Sequence, residues 1–290
     1  MSNLTGCEEL VLDDLHGPSR VTPLTFALKA KCGAVQPLQL RLLDLEGSTL
    51  EDDGLQAIAQ AVSACQTIST LHLARNNIGD HGARALAEAL LRDPALDAAL
   101  GSTKPHAGLQ LLDLHSNHIA DYGADGLANL LRLPAPPLVP VPLRELRLHD
   151  NRLGEGALRV LADALRDNVI LETLMLSGNP AAGDAGIIAL AHALHARRTG
   201  RDSALRRLFV ARMNLTDASA DALRMLLEKP NAPPLEHIAI DGNPMLSATA
   251  RAALETAVQR RRSRLSAPSS AQDTGIFRID ASGSTGAVDM

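Results

Sequence analysis

The feature that most constrains this chain is a motif that recurs seven times. An apolar residue, two variable ones, a second apolar residue, one variable residue and a third apolar residue lead into a turn. The motif begins at Leu40 (LRLLDLEGSTL), Ile68 (ISTLHLARNNI), Leu109 (LQLLDLHSNHI), Leu143 (LRELRLHDNRL), Leu171 (LETLMLSGNPA), Leu205 (LRRLFVARMNL) and Leu235 (LEHIAIDGNPM), with a degenerate eighth copy from Cys7. Its central apolar residue stands at Leu43, Leu71, Leu112, Leu146, Leu174, Leu208 and Ile238, in steps of 28, 41, 34, 28, 34 and 30 residues. Self-similarity on this scale marks a stacked array, in which no unit can bury its own apolar face and the neighbours supply the core.

Alternate apolar positions within each copy predict a short strand with its leucines turned inward. Asn76, Asn117, Asn151, Asn179 and Asn243 stand at the bend in five copies. A carboxamide donates and accepts at once, so a stacked column of them satisfies the backbone groups of the turns. Ser48 and Met213 take that place in the other two copies. Serine does part of the job and methionine none of it, so the turn near Asn214 is expected to be irregular. Helical periodicity follows the strands at 80–93, 156–165, 185–194, 218–227 and 249–258; in the first, Ala83, Leu86 and Leu90 form one apolar stripe. Composition fits thin, regular layers: apolar residues are 46% of the chain, yet there are only three Phe, one Tyr and no Trp.

The segment Asn77–Leu90 (NIGDHGARALAEAL) closely matches N-x-(I/L)-G-D-x-G-A-x-A-L-A-x-A-L. On this motif the chain resembles leucine-rich repeat proteins of the ribonuclease-inhibitor type, over about residues 38–260. The resemblance implies an α/β fold, a horseshoe-shaped leucine-rich repeat solenoid with parallel β-strands on the concave face and α-helices on the convex face. It divides the chain into a degenerate N-terminal repeat or cap (1–37), a seven-repeat domain whose last helix caps the C-terminal end (38–265) and a tail (266–290). It further implies that the partners are other proteins.

Several function classes are disfavoured. A net charge of −5 and a pI near 6.0 argue against nucleic acid, which demands a basic surface. No run approaches the roughly 18 apolar residues that would span a membrane, and the acidic start MSNLTGCEEL is unlike a signal peptide. A cytoplasmic location is therefore expected. Cys7, Cys32 and Cys65, odd in number, are expected to be reduced, and the sequons at Asn3 and Asn214 to carry no sugar. The chain holds no phosphate-binding loop and no H-E-x-x-H, C-x-x-C or G-x-S-x-G motif. No catalytic residue, cofactor, metal or small-molecule substrate is expected.

Aligning the strands places the outward residues in columns. One reads Asp44, His72, Asp113, Arg147, Met175, Phe209, Ala239; its neighbour reads Glu46, Ala74, His115, His149, Ser177, Ala211, Asp241. His72, Asp113, His115 and His149 fall in one neighbourhood, where mixed charge on a binding face is the commoner arrangement and metal ligation the rarer. Met175, Phe209, Ala211 and Ala239 form an apolar strip, with Arg147, Arg207 and Arg212 as its polar rim; contiguous exposed apolar surface marks a partner site. The competing reading tips Phe209 inward at the irregular turn. Three insertions, near 93–108, 133–142 and 196–202, fall on one rim. In the tail, Ile276, Phe277 and Ile279 form a strand-like island, read as a docking segment or as an idle tail.

Function is expected to be that of a non-catalytic scaffold or adaptor in a large intracellular assembly; proteins resembling this family occur in the cytoskeleton of cilia and flagella. The alternatives are regulation of an enzyme, as in the similar Ran GTPase activators, with Arg75 as the residue to test, and a bacterial effector that engages host proteins.

Overall fold

The computed structural model describes residues 7–12, 18–32, 39–65, 67–91, 108–132, 141–196, 203–229 and 231–266. The three insertions lie mostly outside these residues and the tail from 267 wholly so. Strand and helix alternate without exception among the described residues: β1 (Glu9–Val11), α1 (Pro18–Cys32), β2 (Leu42–Asp44), α2 (Glu51–Ala64), β3 (Thr70–His72), α3 (Asp80–Leu90), β4 (Leu111–Asp113), α4 (Asp121–Leu131), β5 (Glu145–Arg147), α5 (Glu155–Leu165), β6 (Thr173–Met175), α6 (Gly183–His195), β7 (Arg207–Phe209), α7 (Asp217–Leu227), β8 (His237–Ala239) and α8 (Ala248–Ser266). The strands form one parallel sheet in sequence order, with a constant register that sets Leu43, Leu71, Leu112, Leu146, Leu174, Leu208 and Ile238 side by side. Each helix packs on the helices before and after it, giving an open solenoid with strands on one face and helices on the other.

The core is the layer between them. The six central leucines are fully buried, as are Leu45, Leu73, Leu114, Leu148, Leu176 and Val210 two residues on. Each fully buried leucine is worth about 1.5–3 kcal/mol of transfer free energy. Ile238, in the last strand, is only half-buried.

Two polar ladders hold the repeats in register. In the first, Asn117 Oδ1 accepts the Asn76 and Ile78 amides of the preceding repeat at 3.0 and 2.9 Å, while its Nδ2 donates to the Leu73 and Leu114 carbonyls at 3.0 Å. Asn76, Asn151, Asn179 and Asn243 reach back in the same way. In the second, the first-turn aspartate of each of several helices accepts an amide from the next repeat. Gly79 donates to Asp52 at 2.6 Å, Ala120 and Gly123 to Asp80 at 2.7 and 2.9 Å, Gly154 to Asp121 at 2.7 Å and Ser247 to Asp217 at 2.7 Å. These are amides that a helix start leaves without intrahelical partners. The glycine of the G-D-x-G pattern is sterically required, since a Cβ on Gly82 would lie 3.0 Å from the Asp52 Cα. Where Ser219 replaces it, its hydroxyl donates to Asp184. Burial opposes ionisation of Asp184, but bonds from Ser219 and Thr216 hold its carboxyl below the ordinary range.

The expectation of an irregular turn at Met213 is corrected. Arg212 and Asn214 adopt φ of 54° and 56°, as do Arg75 and Asn77 at 57° and 55° in the β3 repeat. The Met213 and Leu215 amides are bonded by Asn243, supplied by the following repeat, and the Met213 side chain is simply buried. The departure appears one repeat earlier, at the turn the missing carboxamide would have served. After Asn179 comes Pro180, which has no amide hydrogen, and Ala182 bonds back to the Asn179 carbonyl at 3.2 Å.

The expectation of reduced cysteines also fails at Cys65. Cys7 is a free thiol, but Cys65, buried just after α2, is disulfide-bonded. An odd count bears on whether a thiol is left over and not on whether a pair forms.

Candidate docking face

The residues flanking each buried strand leucine point away from the helices and form the concave face. The register sets Asp44 beside His72, His72 beside Asp113, Asp113 beside Arg147, Arg147 beside Met175, Met175 beside Phe209 and Phe209 beside Ala239. Two residues earlier runs a column absent from the sequence reading: Leu42, Thr70, Leu111, Glu145, Thr173, Arg207, His237. The signal for it was the period-2 alternation itself, carried one step back along each strand.

The β3–β5 part of this face is built around Asp113, whose side chain is 3% exposed. Its Oδ1 accepts from the His115 amide at 3.1 Å and lies 2.7 Å from His115 Nδ1. Its Oδ2 accepts from Arg147 at 3.1 Å and lies 3.5 Å from His72 Nδ1. Burial works against ionisation, yet the bonds from His72 and His115 hold the Asp113 carboxyl well below the ordinary carboxylate range. The bond to Asp113 raises His72 above its ordinary value. His149 stacks on His115, with ring centroids 4.3 Å apart and planes 7° from parallel. Burial, and then the neighbouring His115, push His149 down. The four residues thus share one neighbourhood, but as an Asp113-centred ion-pair network of His72, His115 and Arg147 against which His149 only stacks, its buried Nδ1 without a hydrogen-bond partner. Among the described residues no three His, Cys, Asp or Glu side chains are disposed to hold a metal ion.

Two of the three arginines assigned to the rim are already engaged. Arg147 bonds Glu145 at 2.6 Å as well as Asp113, and Arg212 grips both oxygens of Asp150 at 3.0 and 3.3 Å. Stacking of the repeats brings Asp113 and Asp150 within reach, which spacing along the chain does not reveal, whereas Glu145 lies two residues before Arg147 on the same strand. Arg207 differs: it is exposed and bonds the Thr173 hydroxyl at 2.9 Å, and among the described residues no carboxylate pairs with it.

Across β6–β8 the face turns apolar. Met175, Phe209, Ala211 and Ala239 are all half-buried and contiguous. Phe209 faces outward between the fully buried Leu208 and Val210, and the reading that tips it inward does not hold. It is only half-exposed because the His237 ring lies against it at 5.2 Å. The sequence reading missed His237. Ile276, Phe277 and Ile279 lie outside the described residues.

A leucine-rich repeat family model matches residues 40–59 and 64–87, which span β2 to α3. Ribonuclease inhibitor from Sus scrofa is 30% identical over 139 residues, covering 48% of this chain and 26% of the inhibitor. The chain therefore spans about a quarter of the length of this curated relative. No helix among the described residues is long and apolar enough to cross a membrane.

Proposed function

From the premise that this chain is a leucine-rich repeat protein of the ribonuclease-inhibitor type, we propose that it is a non-catalytic scaffold that docks a protein partner on its concave face over β6–β8. The supporting observation is the contiguous row Met175–Phe209–Ala239, bordered by the one rim guanidinium, that of Arg207, left without a carboxylate among the described residues. An aromatic anchor ringed by polar groups is the usual make-up of an interface hot spot. The relative is named for inhibiting an enzyme, which fits a fold that acts by covering another protein. The setting we assign is a large intracellular assembly, with the cytoskeleton of a cilium or flagellum named on family resemblance. The Cys65 disulfide removes the cysteine argument for a reducing compartment.

Crosslinking with mass spectrometry on material from native cells tests this. Links from the β6–β8 face to several abundant structural proteins, weakened by Phe209→Glu, are the expected result. Links that ignore that substitution defeat the docking face.

A second reading, regulation of an enzyme, is favoured by Arg75. Its side chain is 67% exposed and, among the described residues, is held only by a 3.5 Å pair with Glu46. Convergence of the crosslinks on one GTPase, with hydrolysis accelerated by the chain and slowed by Arg75→Ala, would replace the scaffold reading.

A further inference from the structure

The sheet ends on an open edge. Between β7 and β8, the Val210 and Arg212 amides donate to the Ala239 and Asp241 carbonyls at 2.8 and 2.9 Å, and the Arg206 carbonyl accepts from Glu236 and His237. The corresponding groups one repeat on are the Ile240 and Gly242 amides and the Glu236 carbonyl. Among the described residues nothing bonds to them. Ile238 is half-buried where its six counterparts are fully buried, so the core layer is also incompletely covered on that side. A parallel sheet with an unpaired edge is a template for one more strand.

We propose that residues 276–284 of this same chain supply that strand, pairing in parallel with β8 so that Ile279 lies beside Ile238. Four observations carry it. Ile276, Ile279 and Ala281 reproduce the three inward apolar positions, as Leu235, Ile238 and Ile240 do in the last described copy. Ile279 lies 41 residues beyond Ile238, the step that separates Leu71 from Leu112.

The turn position is the third observation. In every strand from β2 to β8 the residue four after the central apolar one has positive φ: Gly47, Arg75, Ser116, Asp150, Gly178, Arg212 and Gly242, between 53° and 72°. Gly283 stands at that position after Ile279, and glycine reaches this conformation without strain. The run Asp280…Gly283-Ser284-Thr285 repeats Asp44…Gly47-Ser48-Thr49, and Ser48 already uses its hydroxyl to reach the Leu12 carbonyl of the preceding repeat at 3.3 Å. Finally, 11 residues separate Ser266, the end of α8, from Arg278, as 11 separate His195 from Arg207 between α6 and β7. A strand tethered by so short a connection has a high effective concentration at its own edge, which favours it over a strand from another molecule.

The strand changes the reading of the tail. Ile276 and Ile279 turn inward, while Arg278 and Asp280 join the concave columns beside His237 and Ala239 and give the Phe209 patch a charged border. This inference does not rest on the docking reading, and its test requires no partner.

Hydrogen exchange on the full chain, with and without Ile279→Asp, gives the first measurement. The Ile240 and Gly242 amides are expected to exchange at least about tenfold slower in the unmodified chain. Because Ile279 lies beyond the last described helix, the variant leaves the array folded. The second measurement is oxidation of an Ala239→Cys, Asp280→Cys chain that also carries Cys7→Ser. Facing residues on neighbouring strands are about 4.8 Å apart, within disulfide reach, so a bond within the monomer is expected. Unchanged exchange at Ile240 and Gly242, or no bond on oxidation, overturns the proposal in favour of an idle tail. A bond found only between two chains overturns it in favour of a second copy on that edge.

Discussion

The two halves of the concave face carry similar backbones and opposite surfaces. Over β3–β5 the charged groups that face outward are answered from within the molecule, Asp113 by His72, His115 and Arg147, Arg147 also by Glu145, while the His149 Nδ1 beside them has no partner. Over β6–β8 the same positions hold Met175, Phe209 and Ala239, and among the described residues Arg207 has only a threonine hydroxyl. A charge network that already satisfies itself would have to be dismantled for a partner to use it, at the desolvation cost of each freed ion. The apolar half requires no such loss. On the proposed docking reading, exposed charge is therefore the poorer guide to the binding surface, and the plainer half is the one left for a partner.

The contrast can be broken by substitution. Asp113→Ala strands two imidazoles and leaves Arg147 with Glu145 alone, and is expected to lower stability by about 3 kcal/mol in thermal or urea unfolding while changing partner affinity little. Phe209→Glu should do the reverse. It leaves the unfolding midpoint nearly unchanged and weakens binding to the crosslinked partner by about 2 kcal/mol, roughly 30-fold in Kd. If the two variants exchanged these effects, the assignment of the halves would be inverted.

The pH response sharpens the comparison, because the titrating network belongs to the polar half. The Asp113 carboxyl is depressed, so its contribution to stability is present above its unfolded value near 3.8 and is lost as pH falls through the folded value. His72 is raised, so its contribution is complete below 6.5 and is lost as pH rises through its folded value. His149 is lowered, so its contribution is present above 6.5 and is lost on acidification. Unfolding midpoints measured from about pH 5 to 8 should therefore lose less on the alkaline side in His72→Asn and less on the acid side in His149→Phe. Phe209→Glu should leave the shape of that profile unchanged. The smallest expected effect is that of Arg212→Ala, whose pair with Asp150 is well exposed: at most about 0.5 kcal/mol.

What the sequence could reveal follows the range of each interaction. The strands, the buried leucines and the Asn column were legible because each depends on a pattern repeated within a dozen residues. The outward columns were legible because the register never slips. The Met213 turn was misjudged because its acceptor, Asn243, sits 30 residues later, while the local pattern shows only the methionine. Arg147 and Arg212 were taken as free although Glu145, two residues before Arg147 on the same face of β5, was legible; the other carboxylates that hold them are remote, Asp113 lying 34 residues from Arg147 and Asp150 62 from Arg212. His237 escaped notice because a ring resting on a ring leaves no trace in spacing.

The two ladders point opposite ways along the chain. A turn closes when the asparagine of the following repeat arrives, and a helix start is satisfied by the aspartate already laid down before it. A boundary repeat is thus incomplete in a different way at each end: the newest lacks the asparagine that closes its turn, and the first lacks the aspartate that satisfies its helix start. During synthesis, each repeat that leaves the ribosome completes the one before it, so the nascent chain always carries one unfinished turn at its newest boundary. Shortening the protein from its C-terminus would reopen a turn in a repeat that is itself intact, whereas shortening it from the N-terminus would leave the remaining turns closed and take the aspartate from the first remaining helix start.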